Sequence, residues 1–398
     1  MGHTATTPPT LATLILLAAL SSLPLNMFLP SLANMVQDFR TDYALMNLSV
    51  SGYLGVTAVL QVIIGPLSDR YGRRPVLLAC LATFAVASLG CAVATDIWTF
   101  LGFRILQGAV ISGWVLSLAT IRDTAPAQTA AGLIAYVSMA MSVAPMLGPM
   151  FGGVLDAFFG WRSSFLVLAA AGTAGLLLCW FDLGETNRVR SGTFARQLLA
   201  YPALFRSGRF WGYATCIAFS RAAFYAFLSG VPLVARTALD LPVAELGLYM
   251  GTITAGFFLG AFLSGRYARR FSLSTMMVCG RVAACAGLCL GLVLFSAGIV
   301  NEVTVFGATL FVGLGNGLTI PSGDAGVLSV RPELAGSSSG LSGALTVGTG
   351  AIVALITGVI LSEQNAVYEL VGVMLVCSAL GLASALVVQW LDQTPVPV

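Results

Sequence analysis

Charged residues are scarce in this chain, and a few of them are placed to do chemistry. Asp69 and Arg73 lie in the string Gly65-Pro66-Leu67-Ser68-Asp69-Arg70-Tyr71-Gly72-Arg73-Arg74. Gly65, Pro66 and Gly72 predict a tight turn there. Asp69 is set to accept hydrogen bonds from a neighbouring helix N-terminus, where the dipole favours an anion. Arg73 is set to pair with Asp123. Arg104 and Arg221 fall inside long apolar segments, and a charge at that depth marks a functional position by default. Arginine grips carboxylate or phosphate in a planar fork. Arg281 lies about two turns into another apolar segment and is expected to snorkel to the surface. No Asp or Glu falls at the middle of any apolar segment; Asp69, Asp123 and Asp324 lie near one set of ends. The one histidine is His3, and none of the eight cysteines has metal-site spacing. No nucleophile, base and orienting group converge, and no nucleotide motif occurs. The sequence argues against an enzyme, and no cofactor or metal is expected.

The segments that position these residues belong in a membrane. The chain is 58% hydrophobic and 9% charged, against about 25% charged in a soluble domain. Apolar runs of about 20 residues, each enough to cross a bilayer, follow one another along the chain. They predict twelve helices, over 11–33, 44–67, 75–94, 97–120, 128–155, 163–182, 209–235, 243–265, 274–298, 302–322, 335–361 and 367–391. The first span reads as retained rather than cleaved, since no positive residue precedes it.

The string Ser264-Gly265-Arg266-Tyr267-Ala268-Arg269-Arg270 repeats the 68–74 pattern 196 positions further on (264 − 68). Parallel internal duplication marks membrane units that alternate access around a central site. The predicted fold is an all-α membrane protein of two pseudo-symmetric six-helix bundles. Residues 1–182 form the first bundle, 183–208 a linker and 209–398 the second. The chain has no lysine, and most of its arginines fall in loops on one side; Arg40, Arg162 and Arg236 fall on the other. That bias predicts both termini in the cytoplasm.

The 65–74 string resembles the signature between the second and third helices of the major facilitator superfamily. Leu101-Gly102-Phe103-Arg104-Ile105-Leu106-Gln107-Gly108 resembles its fourth-helix motif. Ala144-Pro145-Met146-Leu147-Gly148-Pro149-Met150-Phe151-Gly152-Gly153 resembles its fifth-helix antiporter motif. Gly313 to Pro321, with Leu328-Ser329-Val330-Arg331-Pro332-Glu333-Leu334-Ala335-Gly336, is similar to the bicyclomycin and chloramphenicol resistance branch of the twelve-helix drug:proton antiporters. The resemblance implies several roles. Asp69, Arg73 and Asp123 would form a gate latch, with Asp69 facing an eleventh-helix N-terminus near Ala335. Pro145, Gly148, Pro149, Gly152 and Gly153 would make the fifth helix bent and close-packed, sealing it against Gly251, Gly256 and Gly260 of the eighth. The first, fourth, seventh and tenth helices would line a central cavity, with Asn26, Arg104, Gln107, Arg221, Tyr225 and Asn316 as substrate-binding residues.

One position departs from the branch. Its members carry an acid in the first helix where this chain reads Asn26-Met27-Phe28-Leu29-Pro30. Asparagine cannot release a proton, so coupling by that route is absent. A cavity holding two arginines and no carboxylate is expected to favour anions or strongly polar solutes. The leading expectation is a monomeric bacterial inner-membrane exporter of a small organic compound, with protons as a possible second partner. The alternatives are a facilitator or symporter of an organic anion or polar solute, and a transporter-like receptor or structural membrane protein.

Overall fold

The computed structural model describes residues 9–125, 127–186, 205–267, 270–331 and 335–393. It divides into two compact units, Met1–Phe194 and Ala195–Val398. In the first unit the helices are α1 (Leu11–Asn26), α2 (Leu32–Asp38), α3 (Tyr43–Tyr71), α4 (Arg73–Val93), α5 (Ile97–Gln107), α6 (Ser112–Thr124), α7 (Ala127–Phe159) and α8 (Arg162–Asp182). In the second they are α9 (Gly208–Thr237), α10 (Val243–Tyr267), α11 (Leu273–Ser296), α12 (Glu302–Val330), α13 (Ala335–Ile360) and α14 (Ala366–Gln393). Among the described residues there is no strand. Eleven spans among them are long and apolar enough to cross a bilayer, α1 with α2 and α5 with α6 each counting as one. The 33-residue α7 adds a twelfth helix of spanning length.

N-cap side chains open six of these helices. Asp42 accepts from Leu45 N at 2.6 Å to open α3, and Asn301 and Thr304 form a reciprocal capping box at α12. Asp96 opens α5; the Thr99 side chain and amide hold its carboxyl below the usual carboxylate range. Helix ends lie within about five residues of the predicted spans except in the tenth, which ends eight residues later (330 − 322), and two prolines are informative. The 65–74 string is not an open turn. α3 continues through Pro66 to Tyr71, and Gly72 alone, at φ 105°, separates it from α4. The tenth span likewise runs through Pro321 to Val330. A proline forfeits one hydrogen bond, but ending a helix inside a bilayer forfeits several, so the helix continues.

Two spans are broken. The first passes from α1 through a 3-10 turn at Leu29–Ser31 into α2, with Pro24 in the last turn of α1 and Pro30 inside the 3-10 turn. The fourth passes from α5 through a 3-10 turn at Gly108–Ile111 into α6. The glycines of α7 pack onto the first break: a Cβ on Gly152 would lie 1.6 Å from Met27 O, and one on Gly148 would lie 3.0 Å from Asn26 Cβ. Small residues on one helix thus let an irregular stretch of another come into backbone contact. Gly256 and Gly260 of α10 serve α12 in the same way, at Leu310 O and Leu314 O. Gly256 and Gly260 are thus in contact within their own unit, whereas nothing lies within 4 Å of a Cβ on Gly251. Gly153 and Pro149 are buried, and the side chain of Pro145 lies outside the described residues.

Gly152→Ala should consequently lower the thermal midpoint of the purified protein markedly, since overpacking a tight core costs about 1–3 kcal/mol or more. Gly102→Ala, where nothing lies within 4 Å of the added methyl, should leave it unchanged. Equal midpoints for both variants would refute the close contact.

Candidate functional site

Arg104 comes from the last turn of α5 and is 1% exposed. Its Nε and Nη2 donate to Ser49 O at 3.2 and 3.1 Å, and its Nη1 to Pro24 O at 3.1 Å and Gln107 Oε1 at 2.5 Å. Pro24 sits in the last turn of α1, where carbonyls lack an onward helical partner, so the arginine caps the broken helix. The guanidinium carbon also lies 4.4 Å from the Phe28 ring centroid and 4.5 Å from that of Tyr53. Arg104 forms no ion pair among the described residues. Carbonyl oxygens and aromatic faces balance its charge instead. Gln107 is equally committed, donating from Nε2 to Ser88 Oγ at 2.7 Å. Asn26 is buried; its Nδ2 donates to Ser22 O at 2.7 Å, and its Oδ1 accepts nothing among the described residues.

The second unit contains a counterpart that the sequence misassigned. Arg281 of α11 does not snorkel; it is 0% exposed. Its Nε donates to Thr319 Oγ1 at 3.0 Å and its Nη2 to Asn316 Oδ1 at 2.7 Å, while Nη1 has no partner among the described residues. The polar stripe of α12 supplies acceptors inside the bundle, and that outweighs a route to the surface. Asn316 is therefore bound to Arg281 and is itself 4% exposed. Tyr225 is buried with its ring against Gly350 of α13. Arg221 differs from all of these. It is exposed, makes no hydrogen bond or ion pair among the described residues, and lies within electrostatic reach of Tyr225 and of Asp324 on α12. The expectation of two displayed arginines without a carboxylate fails on both counts. Arg104 turns inward, and Asp324 accompanies Arg221.

At the end of the first unit, Arg73 is the hub of a charge cluster. Its Nη1 pairs with Asp69 Oδ1 at 2.6 Å and its Nε with Asp123 Oδ2 at 3.1 Å, and Nη1 also donates to Ser68 Oγ at 2.5 Å. A residue that the sequence reading overlooked completes the cluster. Glu185 accepts from the backbone N–H groups of Arg73 and Arg74, at 2.9 and 3.3 Å, capping α4. A Cβ on Gly72 would stand 2.2 Å from Glu185 Oε2, so glycine at that position admits the carboxylate. A glutamate near a helix start is too common a signal to be read without the fold. The N-terminal turn expected opposite Asp69, near Ala335, follows residues 332–334, which lie outside the described residues.

A family model described as Major Facilitator Superfamily matches residues 14–355, and the chain belongs to that superfamily. It is 29% identical over 381 residues to the uncharacterized MFS-type transporter YdgK of Bacillus subtilis, covering 92% of each chain. It is 29% identical to a chloramphenicol resistance protein of Pseudomonas aeruginosa, covering 82% of this chain and 78% of that one. It is 28% identical to multidrug resistance protein D of Escherichia coli, covering 86% of each. Among solved structures, the fold matches a D-xylose–proton symporter with TM-score 0.78 at 16% identity, over 95% of this chain and 96% of that one. The chain is a multi-pass membrane transporter and not an enzyme.

Arg104→Met should destabilise the protein whatever ligand is present, because each buried acceptor left without a donor costs about 1–3 kcal/mol. Lysine should recover only part of the loss, since it lacks the planar fork. Thermal unfolding of the solubilised variants, followed by tryptophan fluorescence, measures this. A wild-type midpoint for Arg104→Met would show that the arginine does not hold the break.

Proposed function

We propose that this chain exports small organic compounds, drugs among them, in exchange for protons by alternating access. The observation that carries the reading is the Asp69–Arg73–Asp123 cluster with its Glu185 cap, which ties together the ends of α3, α4, α6 and α8. A cluster of partly exposed ion pairs adds little to static stability, but it suits an element that must open and close. The compound class is supported by the relatives named for chloramphenicol and multidrug resistance. The arginine bias supports both termini in the cytoplasm and the inner membrane of a bacterium as the setting. The chain acts as a monomer. Residues 183–208 link its two bundles, 1–182 and 209–398.

Arg221 is the substrate-facing charge, with Tyr225 one turn further along α9. Asn26 offers a free oxygen in the first unit. Arg104, Gln107 and Asn316 hold the helices behind these groups. Pro145, Gly148, Pro149, Gly152 and Gly153 shape α7 against the helix break.

The test is transport of chloramphenicol into everted vesicles carrying a pH gradient. Wild-type protein should accumulate it. Arg73→Ala and Asp69→Asn should slow the initial rate about tenfold, a change of about 1.4 kcal/mol in the barrier, at unchanged insertion. Wild-type rates in both variants would leave the cluster as a topology signal only.

A further inference from the structure

The first unit offers no carboxylate at the helix break, since Asn26 stands there. Proton exchange therefore requires another acid. Among the described residues, the carboxylate set deepest within a spanning helix is Asp324, six residues before the end of α12 at Val330 (330 − 324), about 9 Å along the axis. Its neighbours on the same exposed face are Pro321, Ala325 and Leu328, none of which can hydrogen-bond through its side chain, while Ser329 at the edge of that face donates to Gly326 O. An ionisable group so placed requires a charged partner or water.

The partner comes from α9. That helix and α12 approach closely where a Cβ on Gly326 would lie 2.3 Å from the Tyr213 ring and one on Gly323 would lie 2.6 Å from Ile217. Arg221 follows Ile217 by one helical turn, and Asp324 is the residue after Gly323. The two charges are within electrostatic reach but form no direct ion pair. Both side chains are exposed, so neither is locked by the fold as Arg104 and Arg281 are.

We propose that Asp324, with Arg221 beside it, is the proton-exchanging site of this transporter. The inference rests on the exchange reading above and gives it a residue. With Asp324 ionised, its carboxylate accepts hydrogen bonds from a hydroxyl or amide donor of the exported compound, while Arg221 beside it faces the compound's acceptor groups. When a carboxylate oxygen takes up a proton, that acceptor is lost and the compound is released. Binding of the compound and binding of the proton therefore exclude each other, one proton per cycle, as exchange requires. The other groups around Asp324 leave that role to the pair. From α9, Tyr225 lies beyond Arg221, and Tyr213 donates to Asp392 at 2.8 Å. From α11, Arg281 is bound by Asn316 and Thr319, one to two turns before Asp324. From α10, Ser264 lies 3.5 Å from Ser322, and Arg266 is exposed near the helix end. The α13 helix carries no titratable side chain.

The test is an infrared pH-difference spectrum of the purified full-length protein without ligand. Wild type should show a protonated-carboxyl C=O band that appears as pH falls. Asp324→Asn should lack that band. Glu363→Gln, in an exposed loop, should keep it. Arg221→Gln should keep the band but move its midpoint to higher pH by about one unit, since the lost guanidinium favoured the carboxylate. An unchanged spectrum in Asp324→Asn would overturn the assignment. In proteoliposomes, Asp324→Asn should also reduce pH-gradient-driven chloramphenicol uptake to the level of empty liposomes. A wild type that fails to move chloramphenicol while showing the band would defeat the export reading and leave the proton site standing. Wild-type uptake by Asp324→Asn would defeat the proton site and leave export standing.

Discussion

A helix that breaks inside a bilayer leaves carbonyls with no water to accept from, and the first unit is organised around one such break. Proline at positions 24 and 30 and the turn at Leu29–Ser31 make the break unavoidable. Arg104 answers it from α5 by donating to Pro24 O and Ser49 O. The ligand set explains why no carboxylate is present. A second ion would also have to leave water, and a buried pair seldom recovers that cost fully. Carbonyl dipoles and the faces of Phe28 and Tyr53 supply partial negative charge already inside the bundle. Gly152 completes the arrangement, letting α7 lie directly on Met27 O.

The second unit meets a similar need with different residues. Arg281 is bound by the side chains of Asn316 and Thr319 on α12, where Gly315 and Gly280 bring the two backbones together. The duplication preserved the arginine-rich string at 68–74 and 264–270. It did not preserve the position of the buried arginine, which is on α5 in one unit and α11 in the other. The shared feature is a chemical solution, a desolvated guanidinium fastening helices through neutral acceptors. With both of those arginines engaged, Arg221 is the intramembrane arginine left able to respond to a ligand.

Helix number, approximate ends and family were legible because twenty-residue apolar runs and three motifs survive in one dimension. Proline misled the reading at Pro66, because the propensity that ends a soluble helix yields in lipid to the need for internal hydrogen bonds. The arginines were legible as important but not by role. Depth along a span shows that a charge is costly, yet not which way it points. Arg104 and Arg221 look alike in sequence, and only the location of free carbonyls separates a fastening from a displayed charge. Arg281 was misread for the same reason, since its acceptors lie 35 and 38 positions away on another helix.

The α3–α4 junction shows how a few atoms can carry a mechanical linkage. Gly72 has φ 105° and no side chain, so Glu185 reaches the first turn of α4. Its carboxylate meets the positive end of that helix, where an anion is favoured. Arg73 then contributes twice. Its backbone N–H holds Glu185, just past α8, and its side chain holds Asp69 on α3 and Asp123 on α6. Four helix ends therefore meet at one residue. A displacement of any one of them must lengthen a charge-assisted bond at Arg73 or carry the others with it. Such bonds are strong when short and weaken steeply as they lengthen or lose alignment. The junction therefore favours two arrangements, held or released, over a continuum, and that is the property an alternating-access transporter requires of its closing element.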